Sequence, residues 1–303
     1  MSPTLQLGTT PLGWPGSYGD EAQPRMGFFT DTSVCIGCKA CEIACKEWNQ
    51  VPEDELRFSG ESFDNTGELS ANSWRHVAFI EQRIPSDGAT ATPPRTAEPP
   101  LPEELRWLMS SDVCKHCTHA ACLDVCPTGA IFRTEFGTVV IQQDVCNGCG
   151  YCIPACPFGV ISRRERDQVP AASNGISGLG TAHKCTLCYD RVKDGMEPAC
   201  AKACPTDSIQ FGELDELRER ARGRLEVLQQ QGAGEARLYG EDPHDGVGGF
   251  GAFFLLLDDP EVYGLPPDPV VPTRRLPEIW GAAVLAGAAL AAGVVAAVAG
   301  GRR

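Results

Sequence analysis

The chain has 303 residues, a formal net charge of −14, a pI near 4.8 and sixteen cysteines. So acidic a balance, with no basic stripe, excludes a nucleic-acid-binding role. The length allows a sizeable core without covalent staples, and cysteines spaced two or three residues apart pair poorly with one another, so a disulfide framework is excluded as well.

In chain order, residues 1–27 are rich in Gly, Pro and Thr and read as an irregular arm; with no basic residue before Arg25 and no apolar run, no signal peptide is expected. Phe28 to Val34 reads as a strand leading to Cys35, Cys38, Cys41 and Cys45, and Cys41 to Trp48 is compatible with a helix. Residues 52–73 form a polar insertion. Trp74 to Ile84 has strand composition, with Val77, Phe79 and Ile84 on one face. Residues 85–102 are a Pro-, Ala- and Thr-rich linker. After Cys114, Cys117, Cys122 and Cys126, the segments Gly129–Arg133 and Thr138–Ile141 predict two strands joined by a turn. Cys146, Cys149, Cys152 and Cys156 precede a strand over Phe158–Ser162. Cys185, Cys188, Cys200 and Cys204 precede one over Ser208–Phe211. This recurrence predicts an internal duplication. Leu214, Leu217, Ala221, Leu225 and Leu228 mark an amphipathic helix over 213–231, and Phe250–Leu257 reads as a buried strand.

Residues 259–278 are broken by Pro and Gly and read as an extended tether. Ile279 to Gly301 carries no charge and, as a helix, spans roughly 34 Å, enough for a bilayer core. Trp280 suits the interface, and Gly287/Ala291 and Gly293/Ala297 repeat a small-xxx-small spacing. Arg274 and Arg275 on one side and Arg302 and Arg303 on the other leave the orientation tied.

The first and third cysteine groups read C-x2-C-x2-C-x3-C, the run that holds [4Fe–4S] clusters in bacterial ferredoxins. Pro127, Pro157 and Pro205 follow the last cysteine of the second, third and fourth groups, a step that belongs to the ferredoxin run. A zinc-stabilised interaction scaffold is the alternative of another class. Three thiols at two-residue intervals crowd one tetrahedral ion but suit separate corners of a cubane. The expected cofactors are four [4Fe–4S] clusters, with all sixteen cysteines as iron ligands. Because the fourth cysteine of such a run ligates the other cluster of a pair, two arrangements are open: neighbouring groups pair, or the second and third pair inside while the first and fourth pair outside. The short link from Cys126 to Cys146 favours the nested choice. On that choice one cluster has Cys35, Cys38, Cys41 and Cys204, a second Cys185, Cys188, Cys200 and Cys45, a third Cys114, Cys117, Cys122 and Cys156, and a fourth Cys146, Cys149, Cys152 and Cys126.

The expected fold is α+β: two ferredoxin-like dicluster lobes with insertions and one C-terminal transmembrane helix. Residues 28–112 and 180–258 would form the outer lobe and 113–179 the inner one, with the tether at 259–278 and the membrane helix at 279–301. Lys39, Lys46, Lys115, Lys184, Lys193 and Lys202 lie near the cysteines, either to offset cluster charge or as ordinary solvated side chains. His116 and His183 either hydrogen-bond a cluster sulfur, line an electron path or simply pack in tight loops, and are left out of the ligand sets; His76 and Trp74 are read as strand packing. No nucleophile, nucleotide loop or substrate-binding carboxylate emerges, so the chain reads as a non-catalytic electron carrier that binds no small-molecule substrate and no nucleic acid.

The run Cys35-Ile-Gly-Cys-Lys-Ala-Cys-Glu-Ile-Ala-Cys-Lys-Glu-Trp-Asn49 resembles the iron–sulfur (beta) subunit of membrane-bound formate dehydrogenases, within the four-cluster electron-transfer subunits of the molybdopterin oxidoreductases. Cys114-Lys-His-Cys117, Cys122-Leu-Asp-Val-Cys-Pro127, Cys146-Asn-Gly-Cys-Gly-Tyr-Cys152, Lys184-Cys-Thr-Leu-Cys-Tyr-Asp-Arg191, Glu197-Pro-Ala-Cys-Ala-Lys-Ala-Cys-Pro-Thr206 and Tyr263-Gly-Leu-Pro-Pro-Asp-Pro269 carry the same resemblance. It covers the chain from about residue 27 onward, except the linker. Cysteine at every ligand position sets it apart from nitrate-reductase-like subunits, in which a tryptophan replaces one. The resemblance implies a catalytic partner bearing molybdopterin (Mo or W), a cytochrome b partner that reduces quinone, and a single-pass location in the cytoplasmic membrane with the cluster domain on the extracytoplasmic side, exported beside a partner that carries the signal. Another molybdopterin reductase or a hydrogenase complex is the alternative within the class.

Overall fold

The computed structural model describes residues 23–54, 60, 63–85, 103–165 and 178–300. In chain order the elements are β1 (Met26–Asp31), α1 (Ala40–Asn49), β2 (Arg75–Pro85), β3 (Glu103–Val113), α2 (Ala121–Asp124), β4 (Ile131–Arg133), β5 (Val139–Ile141), α3 (Cys152–Ala155), β6 (Ser162–Arg163), β7 (Ala182–His183), α4 (Tyr189–Lys193), α5 (Ala199–Lys202), β8 (Ile209–Glu213), α6 (Leu214–Gln230), β9 (Arg237–Tyr239), β10 (Ala252–Leu256) and α7 (Leu276–Gly300).

Two neighbouring phenylalanines set the layering. A four-stranded sheet runs β8-β1-β10-β9, with β1 parallel to β10 and antiparallel to β8. Side chains alternate across a strand, so Phe28 faces the cysteine-bearing segments while Phe29 packs with α6 through Leu214, Leu217 and Ala221. Strand β10 is buried along its length, which its unbroken Ala-Phe-Phe-Leu-Leu run requires. The acidic Asp215 and Glu216 lie in the first turn of α6, where the helix dipole favours them.

On the other face, α1 packs against α5 and α2 against α3, so each helix bearing a cysteine of one quartet meets a helix bearing one of another. Residues of all four quartets share one core, which joins Cys41, Cys114, Cys152, Cys185 and Cys200 to Phe28, Val77, Val113, Ile131 and Val139. Strands β6 and β7 pair Ser162 with His183 and stitch the third quartet to the fourth.

Several elements differ from the sequence reading. The first strand begins at Met26 and ends at Asp31, and Thr32–Val34 turns into a 3-10 helix capped by the Asp31 carboxylate, which accepts from the Ser33 amide at 2.9 Å. The strand expected over Phe158–Ser162 shrinks to β6, because Pro157, Phe158 and Gly159 turn sharply there. Strand β3 was not foreseen. It pairs with β2 from Arg75–Val113 to Pro85–Glu103 in a long hairpin. Residues 86–102 of the expected linker, and residues 1–22 of the expected arm, lie outside the described residues.

The expected extended tether is neither extended nor free. It winds into 3-10 turns at Pro260–Tyr263 and Pro272–Arg275, with Tyr263, Leu265 and Val271 buried. Tyr263 Oη accepts from the Leu257 amide at 3.2 Å, and Thr273 donates to Asp124 of α2 at 2.6 Å. Helix α7 then leaves the body: its apolar span Glu278–Ala299 is long enough to cross a membrane and none of it is buried.

Candidate iron–sulfur centres

One backbone device recurs in all four quartets. The residue before the second cysteine has positive φ: Gly37 (66°), His116 (44°), Gly148 (73°) and Leu187 (59°). This left-handed residue reverses the chain so that the two flanking thiols project into the same space. Glycine adopts it without strain, whereas His116 and Leu187 hold it against a cost of about 1–2 kcal/mol. Both are buried, so packing supplies the compensation.

The thiols gather in four places. Cys35, Cys38, Cys41 and Cys204 line one cavity, together with Val77, Ser111 and Ser208. Cys114, Cys117, Cys122 and Cys156 line another with Val139, Phe158 and Ile161. Cys126, Cys146, Cys149 and Cys152 line a third with Ile131 and Ile141. Cys45, on α1, lies in the electrostatic field of Cys185, Cys200 and Cys188. Among the described residues no three His, Cys, Asp or Glu side chains converge as they would on a single ion. The thiols instead surround a space, as the spread corners of a cubane require.

Burial dominates the thiol chemistry. It pushes Cys41 and Cys122 up to about 12 and Cys152 to about 11, and drives Cys45 and Cys117 well above the ordinary thiol range, with neighbouring thiols adding to the rise. Thiolate is the ligand form, so a polycation must offset this desolvation. Iron fits that need.

Donors stand ready for anionic sulfur. Asn49 Nδ2 lies 3.7 Å from both Cys45 Sγ and Cys188 Sγ, and the Leu187 amide donates to Cys185 Sγ at 3.2 Å. Ser111 Oγ is 3.2 Å from Cys41 Sγ. In the two Cys-Pro-Thr steps, Thr128 and Thr206 hydroxyls lie 3.7 and 3.8 Å from Cys126 and Cys204 Sγ. Among the described residues, the buried donor atoms without hydrogen-bond partners include His116 Nε2 and Nε and Nη2 of Arg75. His116 lines the second of the cavities above, and its Nδ1 accepts from the Val139 amide at 3.1 Å. Burial and the nearby Lys184 charge hold its pKa well below the usual imidazole range, so the ring is neutral. An all-thiol donor set bordered by unsatisfied nitrogens fits anionic clusters.

The six lysines divide. Lys115 is fully buried, ion-paired with Asp112, and rests over the Phe254 ring at 4.9 Å. Lys184 is buried and donates to the Val139 and Cys185 carbonyls. Lys46 binds Asp54 and the Pro52 carbonyl, and Lys39 reaches Glu42 and Asn65. Only Lys193 and Lys202 are solvated. His183 lies in β7 and not in a loop, its Nε2 2.9 Å from the Gly178 carbonyl, with its ring stacked on Trp74; His76 pairs with Asp64 at 2.7 Å.

Sequence reasoning missed Arg75 and Ser111. A signal for Arg75 existed: it shares the face of Val77 on β2, and that face points inward.

Two models described as 4Fe-4S dicluster domains match residues 34–130 and 105–214, and together they take in all sixteen cysteines. The chain is 39% identical over 263 residues to the iron–sulfur subunit of the nitrate-inducible formate dehydrogenase of Escherichia coli, covering 86% of this chain and 78% of the relative. It is 38% identical to the formate dehydrogenase iron–sulfur subunit of Haemophilus influenzae, over 85% of this chain and 73% of the relative. A subunit of the anaerobic dimethyl sulfoxide reductase of E. coli is 34% identical over 65% of this chain and 77% of that relative. With two dicluster domains and sixteen cysteines for four [4Fe–4S] clusters, this protein belongs to the family of formate dehydrogenase iron–sulfur subunits.

Proposed function

We propose that this chain is the electron-transfer subunit of a formate-oxidising complex, linking a molybdopterin (Mo or W) catalytic subunit to a cytochrome b and quinone in the membrane. The formate-type relatives match 85–86% of the chain, the dimethyl sulfoxide type 65%, and this difference favours formate over the other substrates of the class.

The ligand sets we propose are Cys35, Cys38, Cys41 and Cys204; Cys45, Cys185, Cys188 and Cys200; Cys114, Cys117, Cys122 and Cys156; and Cys126, Cys146, Cys149 and Cys152. Their support is the common lining of each cavity and the mutual fields of the second set. The first and second sets would make the outer lobe and the other two the inner lobe, with β1 beside β8 in the former and the β4–β5 hairpin in the latter. When bound, the clusters supply one-electron redox chemistry, and the chain sets their spacing, polarity and shielding from water.

The observation that carries the reading is how the sets adjoin: α1, with Cys41 and Cys45, packs on α5, with Cys200, and α2, with Cys122, packs on α3, with Cys152, while Cys114 and Cys185 share one core. This supports an order of the sets from the first to the fourth. Cys38 at one end and Cys149 at the other are exposed, while Cys45, Cys185, Cys188 and Cys200 are buried. A line buried in the middle and open at both ends suits a relay between two partners. The Thr273–Asp124 bond starts α7 beside the third set, so we assign the Cys149 end to the membrane acceptor and the Cys38 end to the catalytic partner. We propose that α7 makes a single pass, with the cluster body on the extracytoplasmic side.

Purification of the complex tests this. It should carry about sixteen irons on this chain, absorb near 400 nm, and bleach on adding formate. A preparation that holds the irons but is not reduced by formate would reject the substrate. A colourless protein containing zinc would reject the whole reading.

A further inference from the structure

Arg75 is a guanidinium at 1% exposure with no carboxylate partner among the described residues. Burying such a charge costs several kcal/mol unless it is compensated. The compensation on hand is small. Nη1 donates to the Ser111 carbonyl at 3.2 Å and to Ser111 Oγ at 3.1 Å, and Cζ lies 4.9 Å from the centre of the Phe28 ring. Nε and Nη2 donate to nothing among the described residues.

The Phe28 ring that the guanidinium faces belongs to the same buried core as Cys41, Cys185 and Cys200. Burial alone would lower the Arg75 pKa, yet the nearby thiols of Cys200, Cys41, Cys185 and Cys45 raise it. Cys41 belongs to the first ligand set and the other three to the second, and Ser111 extends the contact to Cys41 Sγ at 3.2 Å. This guanidinium, with no carboxylate partner among the described residues, therefore stands at the junction of two cysteine sets. Its charge is spread over a fork of five N–H groups, which lets one side chain face both sets.

We propose that Arg75 is the shared counter-charge of the first and second cluster sites, holding both reduction equilibria toward the reduced form so that an electron passes between them without a deep step. The transfer is a single electron leaving one cluster and arriving at its neighbour, with no bond made or broken. Each cluster becomes more anionic by one charge as it is reduced, and a fixed cation at the junction stabilises either reduced state. This inference rests on the ligand sets proposed above.

The test is an anaerobic redox titration of the full chain, followed by EPR, for wild type, Arg75→Gln and Arg75→Lys, with iron counted in each. The glutamine chain should keep its iron, and two of its four clusters should shift at least tenfold toward the oxidised form, about 59 mV for one electron. The lysine chain should stay within about threefold of wild type, because it keeps the charge. The affected clusters should be those altered by Cys41→Ser and by Cys200→Ser. Four unmoved potentials, four equal shifts, or a lysine chain displaced as far as the glutamine one would overturn the proposal. If the glutamine chain does not hold iron, the lysine chain decides: a shift beyond tenfold, or loss of its own iron, overturns it. Failure of the ligand sets is distinguishable, since Cys204→Ser would then perturb the same signal as Cys200→Ser and leave that of Cys41→Ser intact.

Discussion

Asn49 Nδ2 reaches Cys188 Sγ, 139 positions further along the chain, at 3.7 Å, from the last residue of α1. The same amide spans Cys45 Sγ and donates to the Cys45 carbonyl at 2.9 Å. One side chain thus ties a helix end to two thiols of the second set. Replacing it with leucine keeps the volume and removes the donor. We expect iron content to hold and the second cluster's potential to fall by roughly 40 mV, the equivalent of about 1 kcal/mol per hydrogen bond. EPR-monitored titration measures this, and an unchanged potential would show the contact to be electrostatically idle.

Cys204 lies with Cys35, Cys38 and Cys41 although it is far from them in sequence. Cys204→Ser should therefore disturb the first cluster and spare the one held by its own sequence neighbours, Cys185, Cys188 and Cys200. EPR of the reduced protein separates the two outcomes, and loss of the Cys200 cluster alone would sink the nested ligand sets.

Two glycines flank Cys149, both at positive φ, and they should respond differently to alanine. A Cβ at Gly148 would stand 2.2 Å from the Gly180 carbonyl oxygen, a backbone atom that cannot step aside cheaply. At Gly150 the nearest atom is Ile153 Cδ1 at 3.7 Å. Gly150→Ala should cost about 1–2 kcal/mol of local stability and retain the fourth cluster. Gly148→Ala should lose that cluster, lowering iron by about four per chain. Iron analysis beside thermal melting reads both.

Because none of the Glu278–Ala299 span is buried, removing α7 should leave the body intact. A chain ending at Arg275 should keep its full iron complement and its melting temperature within about 2 °C, while failing to float with lipid vesicles. Retained flotation would move the membrane contact elsewhere on the surface.

Much of this was legible from spacing. The cysteine runs marked the cluster loops, the apolar period of Leu214 to Leu228 located α6, and the apolar run over Phe250–Leu257 contained β10. Strand β3 escaped because its polarity is mixed: Leu105 and Trp107 are exposed, Trp107 against Phe63 at 5.7 Å, while Ser110 and Ser111 are buried beside Leu108 and Val113. A period-two test that looks for apolar residues inside cannot see such a strand. Arg75 escaped for a related reason. A charged residue is assigned to the surface by default, and only an anionic centre in the core makes its burial sensible. Lys115 and Lys184 belong to the same class of cations drawn inward by chemistry that lies across the fold.

The segment leading to α7 gives the chain a bracket in place of a leash. With Tyr263, Leu265 and Val271 inserted in the body and Thr273 held by Asp124, the base of α7 has a fixed address relative to the third cysteine set. A loose leader would let the final hop vary in length with every swing, and tunnelling falls off steeply with distance. On the proposed membrane pass, a bracket would keep that gap constant, so that the pace of electron exit would be set by the fold and not by diffusion of the body above the bilayer.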